Sequence, residues 1–319
     1  MRFGIMIMAR GPGGRAPGLT AMAQRAEAGG LDIIAINDHV VVPNGIASTY
    51  PYSEDGVWAG RAVGECLEMV TAASFIAAAT NKIELLTSVM VVPYRPAVLA
   101  AKMLATLDVL SNGRLTVGCG AGWMQEEFAA LGLPPFAGRG KVTDEYIAAF
   151  RTLWTDESPS MAGEYVQFSD ITFEPKPLHQ PRLPIWIGGE GGAAIRRAAR
   201  AGDGWYPCSH NPAYPMDTPD RYAQGLARLN AAADKLGRSS ADIHRAYLAV
   251  RPVIGKEQRD SDGNRRAFAG TPDAIRDDIG AFADAGVETI IFPSAGRDLS
   301  EILDRISWLT EDVLPGPRT

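Results

Sequence analysis

The strongest hydrophobic signal in the chain is Leu31-Asp32-Ile33-Ile34-Ala35-Ile36, five apolar residues in a run of six that stops abruptly at Asn37-Asp38-His39. A near-continuous apolar run of this length suits a parallel strand buried on both faces. Comparable short runs recur at 3–8, 82–92, 115–119, 184–187, 202–206, 244–250 and 287–292. Segments with helical spacing lie between them, at 20–30, 65–80, 97–110, 125–131, 142–154, 193–201, 219–236, 272–285 and 299–314. Gly29-Gly30 closes the first of these as a C-terminal cap would. The acidic start of 272–285 suits the helix dipole.

Strands alternating with helices imply a parallel sheet. Eight such units in 319 residues fit a closed (β/α)8 TIM barrel better than an open, doubly wound sheet. No low-complexity tract or charge run divides the chain, so 1–319 reads as a single barrel domain. A proline-rich stretch with a short hairpin, 165–168 against 171–173, reads as an insertion around 134–181. The segment 11–14 reads as a flexible turn and 260–266 as a polar loop. Residues 40–64 are too long for a plain connection and read as a substrate loop. In such a barrel the ends of the strands meet at one face, where Asp38, His39, Ser88, Gly120, Trp123, Gly189 and Trp205 converge.

Composition narrows the function. The chain is 46% hydrophobic and 21% charged, with a formal net charge of −6. It carries no basic run, which argues against nucleic acid as a partner. No apolar stretch reaches the roughly 18–20 residues of a membrane helix, and no secretory leader fits the first strand. Three widely spaced cysteines, Cys66, Cys119 and Cys208, suit reduced thiols and a cytoplasmic location. The four histidines, His39, His179, His210 and His244, show no metal-binding spacing, and no metal is expected. A nucleophile elbow is absent as well.

The candidate chemistry is then Asp38-His39, an acid followed by the side chain best suited to exchange a proton near neutral pH. The plain alternative is a helix cap and a loop histidine. The sequence Gly188-Gly189-Glu190-Gly191-Gly192 runs from a strand into a helix. It is either a phosphate cradle built from free backbone N–H groups or an ordinary flexible loop. Glu190 is an awkward neighbour for phosphate and is expected to point outward. Gly118-Cys119-Gly120-Ala121-Gly122 lacks the later glycine and acid of a dinucleotide fingerprint. It is equally a tight turn on which a planar ring could lie. Thr87-Ser88-Val89 reads only as core.

Taken together, several segments resemble the bacterial luciferase-like family of flavin and deazaflavin oxidoreductases. They are Asn37-Asp38-His39, Thr87-Ser88-Val89, Ser111-Asn112-Gly113-Arg114-Leu115, Gly120-Ala121-Gly122-Trp123, Gly163-Glu164-Tyr165 after the Trp154 helix, Pro184-Ile185-Trp186-Ile187-Gly188-Gly189, and Ala201-Gly202-Asp203-Gly204-Trp205. The order is the family's and the resemblance spans nearly the whole chain. It is nearest to the actinobacterial subgroup assigned to the deazaflavin coenzyme F420.

The resemblance implies a luciferase-like (β/α)8 barrel binding the tricyclic ring at its carboxyl-end face. It places Asp38 and His39 at the ring, with His39 giving the proton or orienting the substrate. Ser88-Val89 matches a non-prolyl cis peptide behind the ring. Gly120, Ala121 and Gly122 would meet the ring or its ribityl chain, and Gly189, Glu190, Gly191 and Gly192 the phosphate. Two departures argue against a sugar-phosphate substrate. Trp123 stands where the sugar-phosphate dehydrogenases of the family carry a glutamate, and Cys208-Ser209-His210-Asn211 has no match for their lysine. Trp123 and Trp58, with Tyr52, suggest a more apolar small molecule.

The expected activity is hydride transfer to or from such a substrate, the cofactor carrying the redox chemistry. The alternatives are an FMN-dependent monooxygenase fed by a separate reductase, and a flavin-binding protein without turnover. An F420-reducing enzyme is the expected redox partner of the first reading. Arg196, Arg197 and Arg200 are candidates for a basic rim holding the acidic F420 tail. Family members often form dimers, and a homodimer is expected.

Overall fold

The computed structural model describes residues 1–62, 65–250, 253–259 and 263–314. Its organising element is a closed parallel barrel. The strands are β1 (Arg2–Ile7), β2 (Ile33–Ile36), β3 (Glu84–Thr87), β4 (Leu115–Gly120), β5 (Ile185–Gly188), β6 (Gly204–Tyr206), β7 (His244–Leu248) and β8 (Thr289–Ser294). Each pairs with the next, and β8 returns to β1 over Arg2↔Thr289 to Ile7↔Ser294. The luciferase-like (β/α)8 architecture expected from the sequence is therefore the one observed.

Side-chain alternation sorts two cores. Outward residues such as Ile5, Ile7, Ile34, Ile36, Leu85 and Val117 pack under the surrounding helices. Inward residues Ile33, Ala35, Leu86, Trp186, Ala246 and Ile291 fill the barrel's interior. The interior is a plug, and a ligand can enter only above it. The run 31–36 reads as continuously apolar because both of its faces are buried.

The helices are α1 (Ala16–Ala28), α2 (Met69–Ala79), α3 (Ala97–Leu110), α4 (Gln125–Ala130), α5 (Arg139–Thr155), α6 (Gly192–Ala201), α7 (Pro219–Asp234), α8 (Pro272–Asp284) and α9 (Leu299–Trp308). Two family-like segments prove to be staples at the far end of the barrel. Arg114 donates to the carbonyls of Ala77, Thr80, Ile83 and Ser111. Asp203 accepts from Arg151, Arg182 and the Ile185 N–H.

Several boundaries differ from expectation. The flexible turn 11–14 is a 3-10 helix, Gly11–Gly14. The strand expected over 82–92 divides at Ser88-Val89, a cis peptide, and resumes as the two-residue strand Met90–Val91 beside β4. The hairpin pairs Met161–Ala162 with Gln167–Phe168. Tyr165 and Val166 form its turn, because the Glu145 carboxylate on α5 collects their N–H groups at 2.6 and 2.7 Å. The insertion is also narrower than 134–181, since α5 packs on α3 and α6 as part of the helical ring. Residues 260–262 of the expected polar loop, and 63–64 of the substrate loop, lie outside the described residues.

Candidate active site

A cavity of about 400 Å³ opens above the plug, at the carboxyl ends of the strands. Asp38, His39, Trp58, Ser88, Val89, Gly120, Ala121, Gly122, Trp123, Gly189 and Glu190 all line it. Gly191 and Gly192 do not; they sit behind it, at the start of α6.

The floor is Val89, delivered by the cis peptide Ser88-Val89. The neighbouring strand ends must be glycine to admit it. A Cβ on Gly120 would lie 2.6 Å from one Val89 methyl, and one on Gly188 would lie 2.9 Å from the other. Behind the floor, the Ser88 and Tyr206 hydroxyls are hydrogen-bonded at 3.0 Å.

Asp38 and His39 are adjacent in sequence but do different things. Asp38 is sealed: its carboxylate takes two 2.9 Å hydrogen bonds from Arg95 and one of 3.0 Å from the Val91 N–H. Arg95 in turn reaches Glu68, the N-cap of α2. Burial alone would lower the Arg95 pKa, but Asp38 and Glu68 outweigh it and raise it. Asp38 thus anchors the chain just after the cavity floor, with its charge matched by Arg95.

His39 lies in the cavity wall, and its Nδ1 is 2.8 Å from Oε2 of Glu127. Glu127 went unremarked in the sequence. It is fully buried, and also accepts from Tyr94 Oη at 2.7 Å, from Val40 N at 2.7 Å and from Val41 N at 3.2 Å. Burial pushes its pKa up, but the hydrogen bonds from His39 and Tyr94 and the Val40 N–H bring it below the usual carboxylate range. An ionised Glu127 accepts from Nδ1–H and leaves Nε2 as the nitrogen that can exchange a proton. Its neighbour Glu126 accepts from the N–H groups of Ala47 and Ser48. The pair Glu126-Glu127 therefore pins the long loop after β2 from below. The signal for it was present as two acids opening a helix straight after the glycine turn.

That loop brings the aromatic wall. Trp58 stands 4.4 Å from His39 and 5.9 Å from Trp123, ring centre to ring centre. Tyr50 meets Trp123 at 5.0 Å and Tyr52 at 5.6 Å. The expected aromatic pocket is formed, with Tyr50 as an additional member. Cys208 is a buried lining residue, and burial pushes the Cys119 thiol up to about 12.

Glu190 contradicts its expectation. It points inward and is 1% exposed. Its two oxygens accept from Cys208 N at 2.5 Å and Asn211 Nδ2 at 2.7 Å. These donors on the β6 exit supply the partners that solvent was expected to supply. Burial nevertheless raises its pKa to about 7, against the lowering effect of those bonds. The raised value fixes a sign. Between about pH 4.5 and 7 the unfolded chain ionises this group first, so the folded state loses stability as pH rises through that window. Glu190→Gln is expected to remove this loss, on the order of 1–3 kcal/mol at pH 8 relative to pH 4.5. Unfolding midpoints of both proteins across that range check it; parallel curves would refute it.

The expected basic rim is largely committed elsewhere. Arg197 and Arg200 both pair with Asp144, at 2.5 and 2.8 Å. Arg196 is exposed and folds toward Gly192. The start of α6 has no side-chain cap, so its first N–H groups and Arg196 suit an anionic group. Among the described residues no cluster of metal-binding side chains occurs, and no helix is long and apolar enough to cross a membrane.

Comparison with known proteins agrees with this architecture. A family model described as luciferase-like monooxygenase matches residues 1–261. An FMNH2-dependent dimethylsulfone monooxygenase of Pseudomonas putida is 33% identical over 209 residues, 63% of this chain and 57% of that enzyme. An uncharacterised protein of Mycobacterium tuberculosis is 30% identical over 266 residues, 83% of this chain and 90% of its own length. The fold matches that of an F420-dependent secondary alcohol dehydrogenase with a TM-score of 0.76, at 18% identity, over 100% of this chain and 99% of the other. By sequence match and by fold, this chain belongs to the luciferase-like monooxygenase family, whose members are oxidoreductases.

Proposed function

We propose that the chain is a coenzyme F420-dependent oxidoreductase that transfers hydride to or from a carbonyl, imine, alkene or alcohol on a small, largely apolar substrate. The observation that carries this reading is the pairing of His39 with the buried Glu127 beside an aromatic cavity whose floor is Val89. The coenzyme, when bound, supplies the hydride chemistry. The residues present fit it. Val89 with Gly120, Ala121 and Gly122 offers a surface for a planar ring, and Gly189 to Gly192 with Arg196 offers N–H groups and a cation for its phosphate.

The chain's own contribution is positioning and proton control. Trp58, Trp123, Tyr50 and Tyr52 exclude water and hold an apolar body against the ring face. His39 gives a proton from Nε2 to the substrate oxygen or nitrogen, or for an alkene to the carbon next to the one that takes the hydride, and takes it back in the reverse direction. Glu127 holds the imidazole in place through Nδ1 and directs Nε2 to the cavity.

A second reading has specific support. The 33% identity to an FMNH2-dependent monooxygenase favours FMN with a separate reductase, acting with oxygen in the same cavity. The test is titration of the purified protein with both cofactors, following intrinsic tryptophan fluorescence. Hydride transfer predicts F420 binding at least about tenfold tighter than FMN, a difference of roughly 1.4 kcal/mol. The reverse preference would overturn it in favour of oxygenation. Binding of neither would remove the phosphate role of Gly189 to Gly192. A flavin-binding protein without turnover is excluded by turnover with any electron donor.

A further inference from the structure

The cavity wall includes Arg10, a cation that neither the cofactor nor the proton pathway uses. Arg10 leaves the end of β1 through a tight turn, its N–H donating to Met8 O at 2.8 Å and its carbonyl accepting from Gly13 N at 3.1 Å. Its side chain enters the cavity wall with the guanidinium carbon 5.1 Å from the centre of the Trp58 ring. It is packed tightly there: a Cβ on Gly60 would come within 2.1 Å of its Nη1.

The other arginines removed from solvent have partners. Arg95 has Asp38 and Glu68, Arg151 has Asp203, Arg197 has Asp144, and Arg114 has backbone carbonyls. Arg139, which also lines the cavity, donates to the Gly122 and Phe136 carbonyls. The Arg10 guanidinium makes no hydrogen bond or ion pair among the described residues; its neighbours are Cys66, Tyr50 and the Trp58 ring. Burial lowers its pKa, as expected for a cation without a carboxylate, but a guanidinium stays charged at neutral pH. A half-desolvated charge with five donors and no acceptor is costly in the free protein and strongly attractive to an oxyanion.

We infer that Arg10 is a substrate-recognition residue, and that the substrate carries a monoanionic oxyanion, a carboxylate or sulfonate, about one ring width from its reacting carbon. The spacing follows from Trp58, whose ring centre lies 5.1 Å from the Arg10 guanidinium carbon and 4.4 Å from the His39 ring centre. The single charge follows from the surroundings. Of the two arginines that line the cavity without a carboxylate partner, Arg139 spends donors on the Gly122 and Phe136 carbonyls, which leaves Arg10 as the guanidinium with uncommitted donors among the described residues, and Asp38 is neutralised by Arg95. A dianionic phosphate would meet too little positive charge. The inference rests on the active-site reading above and narrows its substrate class to acids with an apolar ring or chain.

The test uses four probes with one ring and different ends: benzoate, benzenesulfonate, benzyl alcohol and phenyl phosphate. Each is titrated calorimetrically into the full chain, with and without saturating cofactor. Benzoate and benzenesulfonate are expected to bind at least about tenfold more tightly than benzyl alcohol, the size of a charge-assisted hydrogen bond. Arg10→Gln should abolish that preference, and Arg10→Lys should keep part of it, with F420 or FMN affinity unchanged in both. Equal binding of acid and alcohol, a preference that survives Arg10→Gln, or tightest binding of phenyl phosphate would each overturn the inference. If Arg10→Gln does not fold, the wild-type and Arg10→Lys titrations still decide. Failure of the cofactor reading is seen separately. A wild-type protein that binds neither cofactor but keeps the Arg10-dependent acid preference sinks that reading and leaves this one standing.

Discussion

Glu127→Gln is expected to leave the protein folded and able to bind cofactor, and to slow turnover about 10³- to 10⁴-fold, the loss caused by a wrong imidazole tautomer in a histidine–carboxylate pair. The substitution keeps the shape of the side chain and one oxygen, so the Val40 and Val41 N–H groups retain their acceptor. What changes is the atom facing His39 and Tyr94, whose hydroxyl must turn to accept where it had donated. Carboxylate Oε2 accepts from Nδ1–H at 2.8 Å; an amide NH2 there donates to Nδ1 and drives the ring proton to Nε2. The nitrogen facing the substrate then has its proton fixed. The fall should appear in kcat with cofactor affinity unchanged, and the 15N shifts of His39 should exchange between the two ring nitrogens. A variant within about tenfold of wild type would remove His39 from the proton pathway. Glu127→Ala is a different experiment. It orphans His39, Tyr94 and two backbone N–H groups in a buried site, each costing about 1–3 kcal/mol, and is expected to fail by unfolding.

Arg95→Met is expected to destabilise the fold by about 3–5 kcal/mol, because it leaves the buried Asp38 carboxylate with only the Val91 N–H. In a chain of this size that lowers the unfolding midpoint on the order of 10 °C. Asp38→Asn should cost less, since Arg95 keeps Glu68. The double replacement Asp38→Leu with Arg95→Met should recover part of the loss, as buried ion pairs replaced by apolar groups often do. Denaturant and thermal unfolding check the series. The experiment separates two roles for Asp38. A positioning residue loses stability together with cofactor affinity, since it anchors the segment after Val89. A residue acting directly in chemistry would lose kcat with stability intact, and that outcome would overturn the sealed-carboxylate account.

The sequence by itself determined the barrel. Eight apolar runs with intervening helical periodicity leave few alternatives, because both faces of each strand must be buried and each connection must cross over. It also placed His39, the glycine turns and Trp123 at one face, since strand ends in such a barrel converge; Trp205, expected there too, is instead buried in the outer core against Tyr222, outside the cavity lining. Motifs such as Ser111-Asn112-Gly113-Arg114 and Ala201-Gly202-Asp203-Gly204-Trp205 were legible as family marks but not as staples, because their hydrogen-bond partners lie tens of residues away.

Only the tertiary structure decided which polar groups are paired away and which face the cavity. Asp38 and His39 are neighbours in sequence, yet the strand end turns one toward Arg95 and the other toward Glu127, 88 residues distant. Glu190 sits among glycines and reads as exposed, yet the β6 exit supplies two donors that draw it inward. Nothing in the sequence singles out Arg10; its place in the cavity wall beside Trp58 emerges only in the fold. Burial and pairing are sums over long-range neighbours, and a linear pattern records only where a side chain leaves the backbone, not what it meets.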